Sequence, residues 1–143
     1  PVDGRVVPMA EVPDPVFAQS MVGPGLAVAP SAAGDVLSPV EGTVLSLHPH
    51  AFVVATASGL AVLVHLGIDT VKLEGNGFTT HTAKGQRVRA GDKMISWDPI
   101  AVAAAGYSAI CPVVALDAED DALSELHAPG PIATGEVLFH CAD

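Results

Sequence analysis

The chain is poor in aromatic residues, in cysteine and in positive charge. Phe, Trp and Tyr make up 4% of its 143 residues, so a core has to be assembled from Val, Ala, Leu and Ile. Two cysteines, Cys111 and Cys141, are too few and too far apart for a disulfide scaffold. Cys111 lies in the apolar stretch 109–115 and reads as a small core residue, while Cys141 sits near a frayed end. A reducing cytoplasm is the natural compartment for such a chain. No apolar run approaches the roughly 20 residues that span a bilayer, and no signal-peptide pattern opens the sequence. The initiator Met is also missing, which points to a trimmed start. Six Lys and Arg stand against 16 Asp and Glu, a net charge of −10, which argues against nucleic acid or an anionic membrane as partner. Solubility is the ordinary use of such acidity, and a basic protein partner is the other.

What the chain does have is turns. Its 14 glycines and 12 prolines are spread along the sequence rather than clustered, the mark of many short strands. The length suits a single domain, 1–143, with residues 1–11 read as an N-terminal extension. Strands are expected over 43–47, 51–56 and 60–66, with His48-Pro49-His50 breaking the first two apart and Ser58-Gly59 turning the second into the third. Upstream, Val16, Phe17, Met21 and Val22 form a small apolar cluster between two Pro-rich turns. Downstream, the segment from Val88 through Gly91 to Ile95 is echoed by the one from Ile132 through Gly135 to Phe139, as if a strand, glycine turn and returning strand were used twice. Helix signals are few. Asp98-Pro99 can cap a short helix that ends at Gly106, and Asp117 to Leu126 could form another turn or two. The fold expected is all-β, an antiparallel sandwich or barrel with one or two short helical connections.

Chemistry concentrates at two of the six histidines. His65 ends an apolar run that reads as a buried strand, and from the run alone it is either a core histidine bonded to backbone or a reactive one. His50 opens the strand before it, so an antiparallel hairpin brings the two imidazoles together. His81, His127 and His140 lie in polar or terminal segments and read as solvated. Two imidazoles suit zinc poorly, because catalytic sites ordinarily take three protein ligands; His48 or Asp69 would have to supply the third. They suit phosphoryl transfer well. A neutral imidazole nitrogen can attack phosphorus, and a second imidazole and the backbone N–H groups around Gly67 can bind the phosphoryl oxygens.

The thirteen residues Gly59 to Val71, G-L-A-V-L-V-H-L-G-I-D-T-V, resemble the phosphorylation-site motif of the glucose-type IIA components of the bacterial phosphoenolpyruvate-dependent sugar phosphotransferase system. The segments beginning at Asp14, Ser38, His50, Leu73, Gly85 and Cys111 look like further landmarks of that family, so the resemblance runs over roughly residues 12–140. It implies an antiparallel β-sandwich and no cofactor. His65 would be phosphorylated by the histidine-phosphocarrier protein HPr and would pass the group to a cysteine of a IIB domain, with His50 as the assisting imidazole. Sugar choice would belong to the membrane IIC domain. Phe17, Met21, Leu63, Gly67 and Val71 match the partner-docking surface, and Asp14 and Asp69 match an acidic rim that meets arginines of HPr. Proteins of this type also bind metabolic enzymes or transporters, and zinc held by His50 and His65 in such a regulatory complex is a further expectation of the resemblance.

The sequence departs from the family at one point. Many members carry two extra residues, often including a threonine, just before the equivalent of His50; here Leu47-His48-Pro49 runs straight into it. His48 falls where the family often has phenylalanine. A zinc-dependent hydrolase on a related scaffold, drawing on His48, His50, His65 and an aspartate, is the competing expectation.

Overall fold

Short antiparallel strands carry the chain, with helix confined to its connections. The computed structural model describes residues 2–19, 21–31, 33–118, 122–133 and 138–141. In chain order the elements are β1 (Gly4–Pro8), a 3-10 turn (Met9–Glu11), α1 (Pro15–Ala18), β2 (Gly25–Pro30), β3 (Gly34–Leu37), β4 (Gly42–His48), β5 (Ala51–Ala55), β6 (Ala61–His65), a second 3-10 turn (Thr70–Leu73), β7 (Phe78–Thr80), β8 (Arg87–Val88), β9 (Lys93–Trp97), α2 (Pro99–Ala104), β10 (Cys111–Ala115), β11 (Leu123–Ser124), β12 (Gly130–Ile132) and β13 (His140–Cys141). Eight strands form one sheet in the order β12-β1-β2-β10-β6-β5-β4-β8, three form a second as β3-β9-β7, and β11 pairs with β13.

Period-2 alternation sorts the side chains of β6 between two apolar clusters. Val62 and Val64 point into the main core with Phe52, Val54, Val113, Met94 and Trp97. Leu63 points the other way and packs on a smaller cluster of Met9, Val12, Phe17, Ala27, Ile68 and Val114. His65 shares the face of Leu63 because it lies two residues further along the strand. With cover on both faces, β10 is buried at every residue, as its continuous run Cys111-Pro-Val-Val-Ala115 requires.

Three expectations need correction. Residues 2–11 are no appendage: β1 is hydrogen-bonded between β2 and β12, and Val6 is completely buried. The Asp117–Leu126 helix does not hold over Leu123–Ser124, which pairs with His140–Cys141 as strand, and Asp117 adopts left-handed backbone (φ 57°) in a turn rather than capping; residues 119–121 lie outside the described residues. The echoed unit is not a hairpin. Gly91 (φ 92°) turns the chain between β8 and β9, but β8 pairs with β4 whereas β9 pairs with β3 and β7, so the turn crosses between sheets. Its second copy runs through residues 134–137, outside the described residues. The expected helix at Asp98 is present as α2, capped by the Asp98 carboxylate, which accepts from the N–H groups of Ile100 and Ala101.

Candidate functional site

The β5–β6 hairpin positions the two histidines as its register dictates. Ala51 lies opposite His65, Phe52 opposite Val64 and Val53 opposite Leu63, and the backbone N–H of Leu66 donates to the carbonyl of His50 at 2.7 Å. The imidazoles of His50 and His65 therefore meet edge to face, centroids 5.2 Å apart and planes at 67°. On its other side His65 meets the ring of Phe17, centroids 5.4 Å apart. Phe17 is buried because α1 folds over this face, and α1 forms there because Asp14 caps it, accepting from Val16 N–H at 2.9 Å, with Pro15 in its first turn.

A hydrogen bond fixes the His65 tautomer. Its Nδ1 lies 2.5 Å from the carbonyl oxygen of Gly67. A carbonyl can only accept, so Nδ1 carries the proton and the lone pair is on Nε2. The loop that presents this carbonyl is tightly specified. Gly67 sits at φ 78°, where an added Cβ would come within 2.6 Å of Thr70 Cγ2 and 2.7 Å of the Ser108 carbonyl. Thr70, buried, donates its hydroxyl to the Leu66 carbonyl at 2.7 Å. Cys111 adjoins the Gly67 backbone; burial pushes its thiol up to about 12, so it is no nucleophile at neutral pH.

The electrostatics keep both imidazoles neutral. Burial lowers the pKa of His65 below 6.5, outweighing the Gly67 hydrogen bond and the carboxylates of Asp14 and Asp69, which pull it upward. Burial also lowers His50, helped by the like charges that His65 and His48 would carry. Of the residues expected at the rim, Phe17, Gly67, Asp14 and Asp69 act directly on His65. Met21 and Val71 stand exposed, while Leu63 is half-buried beneath. Asp69, at φ 61°, opens the 3-10 turn that bears Val71.

Sequence reasoning missed Thr70 as a support of the site, although its place in the thirteen-residue motif was the signal. It also took His81 as merely solvated. His81 Nε2 donates to Ser96 Oγ at 2.5 Å, Ser96 donates in turn to Asp35, and Lys93 pairs with Asp35 at 3.3 Å. That cluster ties the three-stranded sheet together, away from the histidine pair. His127 Nδ1 donates to the Ala128 carbonyl at 2.6 Å. Among the described residues no group of three or more His, Cys, Asp or Glu is placed to hold a metal ion. No helix among them is long and apolar enough to cross a membrane.

Residues 1–121 match the family model described as the phosphoenolpyruvate-dependent sugar phosphotransferase system, EIIA 1. The glucose-specific EIICBA component of Streptococcus pneumoniae is 56% identical over 106 residues, 73% of this chain and 14% of that protein. The glucose-specific EIIA component of Oceanobacillus iheyensis is 45% identical over 80% of this chain and 70% of its own length. The β-glucoside-specific EIIBCA component of Bacillus subtilis is 37% identical over 97% of this chain, which spans 23% of that protein. The solved glucose permease IIA from Mycoplasma capricolum superposes with a TM-score of 0.89 at 35% identity, covering 97% of this chain and 90% of that one.

Proposed function

Since the chain belongs to the glucose-type EIIA family of the sugar phosphotransferase system, we propose that it is a phosphohistidine carrier in which Nε2 of His65 takes the phosphoryl group from phospho-HPr. The observation that carries this reading is the Nδ1–H bond to the Gly67 carbonyl, which leaves the Nε2 lone pair on a neutral ring beside a second imidazole.

In the forward step that lone pair attacks phosphorus and the N–P bond of the donor phosphohistidine breaks, its electron pair returning to the donor imidazole. The donor is already activated, so the site's work is alignment and charge stabilisation. His50, 5.2 Å away, donates a ring N–H to the phosphoryl oxygens. The group then passes to a cysteine thiolate of a sugar-specific IIB domain in the cytoplasm. Both partners dock on the face rimmed by Asp14, Phe17, Met21, Leu63, Gly67, Asp69 and Val71. Phosphorylation adds about −1.5 to −2 charges to that face, so the same event switches contacts with regulated proteins.

Incubation with phosphoenolpyruvate, enzyme I and HPr tests the reading. One acid-labile, alkali-stable phosphoryl group per chain is expected, absent in His65→Ala. Full labelling of that variant would refute it.

A further inference from the structure

Three imidazoles stand in line across the end of the large sheet. The registers His48 to Ala51 and Ala51 to His65 put these residues in one cross-strand row on β4, β5 and β6, and members of a row project to the same face. His48 and His65 are two strand spacings apart, about 9.6 Å, and the methyl group of Ala51 leaves the space between them open. The ring of His50 fills it from the two-residue turn, 5.7 Å from the centroid of His48 and 5.2 Å from that of His65. Its backbone is held by the Leu66 hydrogen bond and by Pro49, whose ring fixes φ. Among the described residues no hydrogen bond reaches the His50 ring; it lies nearly parallel to His48 (26°) and steeply inclined to His65 (67°).

Resting on the carrier reading of His65, we propose that His48 is a positioning residue: its exposed ring is the platform that keeps the His50 imidazole facing the phosphoryl group. Once His65 is phosphorylated the contact on that side changes, and the stack on His48 is what still sets the plane of His50. An aromatic ring is sufficient for this role. The row supplies the place and the two-residue turn supplies the reach, so the device is specific to chains in which two residues separate the platform from β5.

The test is rapid-quench transfer from the phosphorylated full chain to a purified IIB domain. His48→Ala is expected to slow that step roughly three- to tenfold, the factor an aromatic pair of ordinary strength represents, and His48→Phe to restore it to within about twofold. A wild-type rate in His48→Ala, or failure of His48→Phe to restore it, overturns the proposal. Should His48→Ala melt early, His48→Leu, with an apolar side chain but no ring, takes its place with the same expectation. His65→Ala run in parallel separates the two readings. Label retained there overturns the acceptor assignment itself, whereas a loss of label there beside unaltered His48→Ala overturns only the positioning role.

Discussion

Nδ1 of His65 donates to the carbonyl oxygen of Gly67, two residues further along the same chain, at 2.5 Å. One short backbone excursion thereby decides that Nε2 is the ring nitrogen left with a free lone pair. The expected product is the Nε2-phosphoimidazole and no other isomer, which long-range proton–nitrogen NMR of the phosphorylated protein distinguishes. Phosphorus bonded to Nδ1 would contradict it.

Gly67 should not tolerate a side chain. At φ 78°, with Thr70 Cγ2 and the Ser108 carbonyl under 3 Å from a new Cβ, Gly67→Ala is expected to lose roughly 1–3 kcal/mol of stability. It should also slow loading from phospho-HPr, because the carbonyl that fixes the tautomer has to move. Urea unfolding and a loading assay read the two effects separately, and wild-type values in both would defeat the expectation.

Thr70→Val keeps the volume and removes one hydroxyl. That hydroxyl donates to the Leu66 carbonyl from a buried position, so the loss is expected at about 1–3 kcal/mol, with Thr70→Ser recovering part of it. A neutral Thr70→Val in chemical denaturation would mean that the bond does not brace the loop.

Acid should weaken the fold through the histidine pair, and the sign follows from burial. Both folded pKa values lie below 6.5. Between those values and 6.5 the unfolded chain therefore binds more protons, and stability falls as pH drops through that window. The full contribution is present above 6.5, and the loss levels off below the folded values. Unfolding midpoints over about pH 5 to 8, compared with the His50→Asn/His65→Asn double variant, should diverge on the acid side only. Loading needs neutral His65 and should persist below pH 6.5. An acid limb centred above 6.5 would invert the electrostatics described here.

The exposed rim is expected to act through binding rather than chemistry. Met21 and Val71 are 67% and 59% exposed. Met21→Lys or Val71→Lys should raise the KM for phospho-HPr by about tenfold, the scale of one apolar side chain left unburied, while kcat holds. A fall in kcat with KM unchanged would place these residues elsewhere in the reaction.

Much of the site was legible because a hairpin is local. The Ser58-Gly59 turn between two apolar runs puts the start of one strand beside the end of the next, and this placed His50 against His65. His48 was ambiguous for a physical reason. Its face depends on the two-residue turn through Pro49 and on a register shift between Val44 and Ser46, neither of which has a periodic signal. α1 is four residues long, too short for a helical period to show, although Asp14 and Pro15 carried its cap signature. β1 escaped because its single completely buried residue, Val6, gains its partners only when distant strands close on both sides. Asp117 illustrates the limit of caps read from sequence, since Asp also adopts the left-handed turn it takes here.

The central place of β6 has a consequence for timescales. Bonded to β5 along one edge and to β10 along the other, it can open only when the sheet itself comes apart, so the amide protons of Val62 to Val64 should be among the last to exchange with deuterium. The four-residue α1 and the 3-10 turn bearing Val71, held by few bonds, should exchange early. The proposed acceptor, His65, thus ends one of the slowest elements of the fold, and the proposed docking residues Phe17 and Val71 belong to faster ones.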